Sequence, residues 1–417
     1  MRMKDMARHI QDYLQERRPE MVEFLKRLVG FETPSRDPEA QSHILAFIAE
    51  KLQDLSYRVN LYPGKETGGF LMAMPLNRKK GAPLQLLIGH CDTVWKKNTL
   101  SEMPIAEDEN RLSGPGIFDM KAGLTQMIFT LQAIRDLGLE FSVTPVLLIN
   151  SDEEIGSRES SSAICKLARI ADRAFVLEPP LGLGGKLKTE RKGIGRFTVT
   201  VRGKPAHAGL NPDKGVSAIV ELSYQIQHLF SLNDFEKGVT VNVGMIQGGS
   251  SANVIAEESR AVVDVRVRNM EDARRIEKEI MSLKPKQEES EVRVEGYFGR
   301  PPMERTPRNK RLWSLARDMG SLLGLELEEA AAGGGSDGNT TSEYTATLDG
   351  LGTTGDGAHA RHEHIVTEKL LERTALLTLL VVAKSLNEES ISTIRKEQKE
   401  EGAMKQIEGL KQIGGLK

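Results

Sequence analysis

Short apolar runs alternate with helical patterns over the first 190 residues. The apolar runs cover residues 83–90, 143–150 and 173–179, and apolar side chains recur at helical spacing over residues 5–29, 121–137 and 159–168. Brief apolar runs bounded by polar turns predict buried strands of a largely parallel sheet. Since these strands alternate with helices, the pattern is typical of an α/β layer fold.

A different pattern begins near Gly195. It reads strand, helix, strand, strand, helix, strand, with helices predicted over residues 216–230 and 270–283. This order is the ferredoxin-like arrangement. Patterns similar to those of the first part resume after Pro301, with a helix over residues 308–323. We therefore predict an α/β domain interrupted by an insertion. The predicted segments are 1–192 and 301–386 for the α/β domain, 193–300 for the insertion and 387–417 for a polar tail.

Length and charge narrow the classes of protein to consider. The 417 residues fit two domains better than one ordinary core. Lys and Arg number 57 against 59 Asp and Glu, a formal charge of -2, so no long-range field favours nucleic acid or an anionic membrane as a partner. The N-terminus lacks the apolar core of a signal peptide, and no stretch is long enough to span a bilayer. We expect a cytoplasmic protein.

The C-terminal tail and the cysteines carry no predicted chemistry. The tail is rich in Lys, Glu, Gln and Gly with few apolar anchors, which favours a frayed helix or a disordered end. Cys91 and Cys165 are the only cysteines, and two thiols in so long a chain do not form a disulfide framework. We expect both to be unpaired core thiols.

Side chains that can bind metal ions stand at predicted strand ends and in glycine-rich loops. They are His90, Asp119, Glu153, Glu154, Glu178 and His359. In open α/β sheets, ligands bind beyond the carboxyl ends of the strands. Imidazole and carboxylate ligands without thiolate suit zinc or related divalent ions, and one shared carboxylate can bridge two metals. Asp119, in the loop GPGIFDMKAG, is the predicted bridge.

Residues beside these candidates suggest supporting roles. Asp92 lies two residues beyond His90, where its carboxylate can accept the proton of the imidazole nitrogen that does not bind metal. An aspartate that caps the loop is the alternative. Adjacent Glu153 and Glu154 point in different directions, so we predict that one binds metal while the other transfers protons.

Eight motifs, in order along the chain, resemble one family of enzymes. They are GHCDTV, GPGIFDMKAG, SDEEIGS, the LEP that ends at Pro179, GKPAHAG, NVIAEESRAVVDVRV, GGGSDGN and GDGAHARHE. Together they resemble the co-catalytic zinc metallopeptidase family of aminoacylase, acetylornithine deacetylase, succinyl-diaminopimelate desuccinylase and the glutamate carboxypeptidases, over nearly the whole chain. The resemblance implies a zinc-peptidase-like three-layer catalytic domain, with the ferredoxin-like insertion serving as lid and dimerisation domain of a homodimer.

The resemblance also implies a metal-ligand set with two zinc ions per subunit, cobalt or manganese being alternatives. The implied ligands are His90, Asp119 and Glu178 for one zinc, and Asp119, Glu154 and His359 for the other. Glu153 is the implied general base. His362 and His364 are rival ligands, but the family places its metal histidine four residues before a glutamate, and His359 has this spacing to Glu363.

Substrate-binding residues are implied in the same way. His207, in GKPAHAG, corresponds to a histidine that the partner subunit contributes, and its role would be oxyanion support. Arg266 and Asn253 stand where relatives bind the α-carboxylate of the substrate, which a guanidinium fork suits. Gly334 and Gly335 permit close approach of backbone N–H groups to the same substrate end.

Within the family, the chain is most similar to the glutamate carboxypeptidase branch. Lys186 stands eight residues after Glu178, as in that branch, and could neutralise a substrate side-chain carboxylate. Since Lys188, Arg191 and Lys192 lie nearby, a solvated basic stretch is an equal alternative. The implied activity is hydrolysis that releases a C-terminal, glutamate-like amino acid from a small peptide or N-acyl amino acid. An N-acyl amino acid deacylase or desuccinylase is the alternative, and a non-catalytic binding protein is a third hypothesis.

Overall fold

A computed structural model describes residues 3–79 and 81–386 of the chain. The predicted polar tail therefore lies outside the described residues. Within the described part, no helix is long and apolar enough to cross a membrane. The helices are α1 (Met3–Glu16), α2 (Arg18–Gly30), α3 (Pro38–Asp54), α4 (Ala122–Asp136), α5 (Ser161–Ile170), α6 (Ala218–Ser231), α7 (Met270–Met281), α8 (Pro307–Leu322), α9 (Asp337–Tyr344) and α10 (Thr367–Val382).

The strands form one large sheet, one sheet in the insertion and two smaller sheets. They are β1 (Tyr57–Tyr62), β2 (Phe70–Pro75), β3 (Leu84–His90), β4 (Ala106–Glu107), β5 (Arg111–Ser113), β6 (Thr144–Asn150), β7 (Ala171–Val176), β8 (Leu187–Arg191), β9 (Gly193–Arg202), β10 (Thr240–Gly248), β11 (Glu258–Val267), β12 (Glu291–Arg300), β13 (Glu329–Ala332), β14 (Ala346–Leu348), β15 (Gly355–Asp356) and β16 (His364–Val366).

The large sheet has the strand order β1-β2-β6-β3-β7-β14. Strands β6, β3, β7 and β14 are parallel, whereas β1 and β2 pair antiparallel at one edge. Leu87 and Phe175 point into a core shared with α1–α4, α8 and α10, while Leu86 and Ala174 pack on the opposite face with α5. Because successive strand residues face opposite sides and both sides are apolar, the sheet lies between two helical layers. The predicted three-layer α/β fold is confirmed.

The insertion has its own sheet and its own apolar core. Its elements follow the order β9, α6, β10, β11, α7, β12, and its sheet has the strand order β10-β11-β9-β12, with every neighbouring pair antiparallel. Alternate residues of β9 and β11, such as Val199 and Val263, pack with Leu222 of α6 and Ile276 of α7. The predicted ferredoxin-like arrangement is therefore present. Strand β9 begins at Gly193 and β12 ends at Arg300; the domain boundaries themselves remain predictions.

The first helical pattern differs from its prediction as one continuous stretch. The structure divides residues 5–29 between α1 and α2, with Arg17 between them. Pro19 lies in the first turn of α2, where its missing N–H costs no hydrogen bond, but within a continuous helix it would remove one. The remaining predicted helices are present with ends shifted by one or two residues, as fraying ends allow.

Candidate metal centre

Three neighbouring strand ends form the base of the candidate site. β3 lies between β6 and β7, and all three are parallel, so their carboxyl ends meet at one edge of the sheet. His90 is the last residue of β3, Glu153 and Glu154 stand in the turn after β6, and Glu178 follows β7. Sheet topology therefore brings together side chains that lie up to 88 positions apart in sequence, counted from His90 to Glu178.

Asp119 reaches this edge from the loop before α4. A side chain at Gly123, in the first turn of α4, would lie 2.2 Å from the carbonyl oxygen of Leu177, so the helix requires glycine there to pack so close to the chain before Glu178. Oδ1 of Asp119 lies 3.2 Å from Nε2 of His90, and Oδ2 lies 3.4 Å from Nε2 of His359. The two carboxylate oxygens of Asp119 thus face two different histidines.

The outer ligand atoms complete two groups around Asp119. Oε1 of Glu178 lies 3.3 Å from Nε2 of His90, and Oε1 of Glu154 lies 3.2 Å from Nε2 of His359. Zinc binds nitrogen and oxygen at about 2.0–2.2 Å, so neighbouring ligand atoms on a tetrahedron are about 3.3–3.6 Å apart. The four separations in the structure, 3.2–3.4 Å, lie at or just below the short end of that range. The donor set, two imidazoles and three carboxylates, therefore fits two divalent ions with Asp119 between them.

The pKa values of these side chains are shifted because opposite charges lie close together. The five residues His90, Asp119, Glu154, Glu178 and His359 are called the cluster below. Hydrogen bonds to Asp119 and Glu154 raise the pKa of His359 to about 10. Burial raises the pKa of Asp119, but hydrogen bonds from the two histidines outweigh it and lower that pKa overall. Burial raises the pKa of Glu154 above its usual range. Each group is a metal ligand only in its deprotonated form, so a divalent cation would replace protons that these groups now share.

The loop that carries His359 has an unusual backbone. His359 has a φ of 62°, in the left-handed region that side chains other than glycine rarely adopt. The loop joins β15 to β16, and β16 pairs with β5, which places it over the Asp119 loop. Such backbone strain persists where the surrounding structure holds it and is concentrated at functional sites.

Glu363, four residues after His359, binds the Asp119 loop. Its buried carboxylate accepts the N–H groups of Gly116, Phe118 and Asp119 at 2.9–3.1 Å and the indole N–H of Trp95 at 2.8 Å. Sequence analysis used Glu363 only as a spacing mark. The structure shows that it links the loops of the two predicted ligands Asp119 and His359.

Asp92 supports His90 and also the turn after β6. Its carboxylate lies 3.4 Å from Nδ1 of His90, and its main-chain oxygen lies closer, at 3.0 Å. The same carboxylate accepts the N–H groups of Glu153 and Glu154, each at 3.2 Å. Asp92 thus contacts three predicted site residues, and its orientation of His90 leaves Nε2 directed at the cluster.

Glu153 lies beside the cluster and is held by an arginine that sequence analysis did not select. Nη2 of Arg300, at the end of β12, lies 2.7 Å from Oε1 of Glu153, and Nη1 lies 3.0 Å from Asp337. Burial raises the pKa of Glu153 well above its usual range, while Arg300 opposes this rise. Arg300 is the last residue of the predicted insertion. This predicted boundary is the only feature of the sequence that could have drawn attention to it.

A second arginine holds the ligand Glu178. Arg191 forms two parallel hydrogen bonds with the Asp349 carboxylate, at 2.7 and 2.9 Å, and its Nη2 lies 3.5 Å from Oε2 of Glu178. Its Nη1 donates to the carbonyl oxygens of Gly334 and Gly335 at 3.1 and 3.3 Å. These two glycines therefore bind Arg191 through their carbonyl groups; the predicted approach of their N–H groups to substrate remains a prediction.

Comparisons with known proteins show what this chain is similar to. Residues 189–289 match the model of the peptidase dimerisation domain. The chain is 28% identical over 382 residues to carboxypeptidase G2 of a Pseudomonas species, covering 88% of this chain and 90% of the relative. It is 27% identical over 275 residues to acetylornithine deacetylase of Proteus mirabilis, covering 60% and 67%. The chain is therefore similar to peptidases of the M20 family that carry this dimerisation domain.

Solved structures show the same fold as this chain. A tripeptidase from Staphylococcus aureus superposes with a TM-score of 0.71 at 22% identity, covering 87% of this chain and 97% of that one. An M20 family metallo-carboxypeptidase from Sulfolobus solfataricus superposes with a TM-score of 0.68 at 17% identity, covering 87% and 99%.

The predicted substrate residues in the dimerisation domain lie apart from the metal-ligand cluster. His207 is exposed, and Asn253 is its neighbour, since Ala208 donates its N–H to the carbonyl oxygen of Asn253 at 2.9 Å. Arg266, on β11, directs its guanidinium fork at Asp264 with two hydrogen bonds of 2.8 and 3.1 Å. Among the described residues, no hydrogen bond or ion pair joins these three side chains to the cluster.

The ring of His207 has a defined polarity. Its Nδ1 accepts the N–H groups of Gly209 and Leu210 at 3.1 and 3.2 Å. A neutral imidazole that accepts at Nδ1 carries its proton on Nε2. His207 therefore presents an N–H donor, the group that its predicted oxyanion role requires.

The remaining predictions concern the rival histidines, Lys186 and the thiols. The groups of described residues whose ligand atoms lie close enough to hold one metal ion are His90, Asp119 and Glu154, and His90, Glu153 and Glu178. They contain none of His359, His362 and His364, so the choice of His359 rests on its contacts with Asp119 and Glu154, whereas Nδ1 of His364 lies 2.8 Å from the main-chain oxygen of His362. Lys186 is directed to the surface, where its ammonium lies 2.6 Å from Glu328. Cys91 is buried and Cys165 half-buried, both free, as expected of unpaired thiols.

Proposed function

We propose that this chain is a two-zinc carboxypeptidase of the M20 type that releases a C-terminal, glutamate-like amino acid from a small peptide or N-acyl amino acid. The observation that carries the proposal is the position of Asp119, whose two oxygens face His90 and His359. Glu153 stands beside this pair without taking part in the histidine contacts. A site that could hold two bridged metal ions, with a further carboxylate beside it, is the arrangement that hydrolytic chemistry needs.

Bound zinc ions would polarise the substrate carbonyl and lower the pKa of the attacking water. The Glu153 carboxylate removes a proton from that water and then delivers it to the nitrogen of the leaving amine. Arg300, hydrogen-bonded to Oε1 of Glu153, holds the carboxylate in position for both transfers. The elevated pKa of Glu153 suits a group that must both accept and donate a proton.

His207 and the other residues of the dimerisation domain complete the proposed site. The Nε2–H of His207 would donate to the oxyanion that forms on the substrate carbonyl, stabilising the transition state more than the substrate. Arg266 and Asn253 would bind the α-carboxylate, with Arg266 exchanging its Asp264 partner for the substrate. Since these side chains have no contact with the cluster in their own described chain, we propose that the partner subunit supplies them.

A homodimer interface on α6 and β10 is part of the proposal. β10 is the edge strand of its sheet, so one row of its backbone groups has no neighbouring strand. Large apolar side chains of α6 and β10 are exposed beside this edge. They are Ile219, Val220, Tyr224, Phe230, Met245 and Ile246. Both elements lie within residues 189–289, which match the dimerisation domain, so a second copy of the chain is the occupant that fits this face.

The alternative function is an N-acyl amino acid deacylase that uses the same machinery with a different acyl pocket. The acetylornithine deacetylase relative supports it, as the carboxypeptidase G2 relative supports the first proposal. A non-catalytic binding protein is disfavoured because Glu153, a proton-transfer group, stands beside a full ligand set.

The test is release of free amino acid from N-acyl and dipeptide substrates ending in Glu, Asp, Ala, Leu or Arg. Metal-free protein and protein reloaded with zinc, cobalt or manganese are compared. Zinc-dependent turnover with a preference for glutamate ends supports the carboxypeptidase. A preference set by the acyl group supports the deacylase, and no turnover with any metal contradicts both.

A further inference from the structure

Lys188 is a buried lysine beside the cluster. It stands in β8 and is 7% exposed, yet within the described residues its ammonium forms no hydrogen bond or ion pair with a side chain. The Nζ atom nevertheless keeps some contact with solvent. A cation removed from water without a partner is unfavourable, so such a group beside the candidate metal site points to an anionic ligand.

Local structure places Lys188 next to the ligand Glu178. The N–H of Lys188 donates to the carbonyl oxygen of Asp349 at 2.8 Å, and a side chain at Gly350 would lie 3.3 Å from Cγ of Lys188. Two residues later, Gly352 donates its N–H to the carbonyl oxygen of Glu178 at 2.9 Å. The short segment 349–352 therefore lies against Lys188 at one end and Glu178 at the other.

A bulge in β8 brings Lys188 and Arg191 to the same group of carboxylates. Residues three apart would point to opposite faces of a regular strand. The pairing with β13 shifts register after Lys188, and Thr189 has no partner in β13. Arg191 contacts Asp349 and Glu178, and the same two carboxylates, with Asp119, face the charge of Lys188.

Three other cations on this side of the domain, Arg191, Arg300 and Lys186, already have partners. Arg191 is bound by Asp349, and Arg300 is bound by Glu153 and Asp337. Lys186, the residue predicted from sequence to neutralise a substrate carboxylate, has a side chain that is 45% exposed and paired with Glu328. Of these four cations, Lys188 is thus the one without a side-chain partner among the described residues; Lys121, in the Asp119 loop, also lacks an ion pair there, but the carboxylate charges that act on it are those of Glu363 and Glu32 rather than Glu178.

We propose that the Lys188 ammonium binds the side-chain carboxylate of a C-terminal acidic residue in the substrate. The inference rests on the proposed function and deepens it, because it assigns the glutamate preference to a residue of the catalytic domain. Arg266 and Asn253, supplied by the partner subunit, remain the proposed ligands of the α-carboxylate. Lys188 is then a specificity residue, and Lys186 is a surface residue.

The test compares Lys188→Met with the matched control Lys186→Met, two variants that remove one ammonium from the same stretch of chain. The substrates are N-acyl glutamate and N-acyl glutamine, which share the α-carboxylate and differ in side-chain charge. Lys188→Met should lower the ratio of kcat/KM for glutamate over glutamine about 10- to 100-fold, the size of a lost hydrogen bond between charged groups. Lys186→Met should change that ratio less than about 2-fold.

An equal loss on both substrates would place Lys188 at the α-carboxylate and overturn the proposal, as would a loss confined to Lys186→Met. Calorimetric titration of the unmutated zinc-loaded protein with L-glutamate and L-glutamine needs no variant to fold. Tighter binding of glutamate is expected, and equal affinities contradict the proposal. Metal-dependent turnover without glutamate preference would overturn this inference alone, whereas absent turnover on every substrate overturns the proposed function.

Discussion

At the scale of single residues, a substitution of Glu153 can distinguish its proposed role in proton transfer from a role in metal binding or stability. In Glu153→Gln the side chain keeps an oxygen that can accept a hydrogen bond from Arg300, and Arg300 also keeps its ion pair with Asp337. The amide cannot accept a proton from water. We expect kcat to fall about 100- to 10,000-fold, the contribution of general base catalysis, with zinc content and melting temperature little changed. Loss of zinc together with activity would instead assign Glu153 to the ligands.

His359→Ala addresses the ligand set itself. The imidazole lies within 3.4 Å of both Asp119 and Glu154, whereas His90 and Glu178 belong to the other group. Removing it should lower the zinc content from about two ions to about one per chain, because one ion loses its nitrogen ligand. Metal analysis after desalting measures this, with His362→Ala as the control that should keep both ions. Two ions in the His359 variant would contradict the assignment.

The candidate metal ligands could be selected from the sequence because each follows an apolar strand or lies in a glycine-rich loop, a local signal. Their supporting residues could not be predicted. Arg300 meets Glu153 across 147 positions, and Arg191 meets Asp349 across 158, so nothing near either arginine in sequence marks its partner. Lys188 was visible only as one of several basic residues. Lys188 differs from Lys186 in being buried, and a stretch of basic residues in the sequence does not show which of them is buried.

At the scale of elements, the pairing of β16 with β5 matters most for the site. It brings the His359 loop to the Asp119 loop, and Glu363 joins the two through three hydrogen bonds, with a fourth from Trp95. Helices and long strands could be predicted from periodicity. Strands β5, β15 and β16 have only two or three residues, too few to show a period. The strand pairing and the Glu363 hydrogen bonds that join the two loops could therefore not be predicted.

Glu363→Gln tests these hydrogen bonds without changing a predicted metal ligand. A glutamine directs an NH2 group at main-chain N–H donors that need an acceptor, so at least one buried hydrogen bond is lost. We expect a loss of about 2–4 kcal/mol in the free energy of unfolding and weaker zinc binding. Chemical denaturation and zinc titration measure the two effects. Glu372→Gln, at a half-exposed pair with Lys369, is the control that should be nearly neutral. An unchanged zinc affinity would limit Glu363 to a structural role.

At the scale of the whole molecule, two separate cores have different tasks. The three-layer domain holds the metal-ligand cluster, and the ferredoxin-like insertion carries His207, Asn253 and Arg266 on its own sheet and loops. Sequence order alone predicted this insertion, since a change of pattern and its return are visible along the chain. The arrangement of two copies could not be predicted from periodicity, because exposed apolar residues on α6 and β10 look like ordinary core positions in sequence.

Mixing two inactive variants tests whether the active unit is the dimer. One variant carries His207→Ala and the other Glu153→Gln, and subunits are exchanged through mild denaturation. A mixed dimer contains one site with an intact Glu153 from the first chain and an intact His207 from the second. In an equal mixture half of the dimers are mixed, so about one quarter of the unmutated activity should return if His207 acts across the interface. The same mixture carrying Ile246→Asp in both chains should recover none, because a charge on the exposed apolar face opposes association. No recovery in mixed dimers verified by mass would mean that His207 serves its own subunit, and the insertion would then have to close over the site of its own chain.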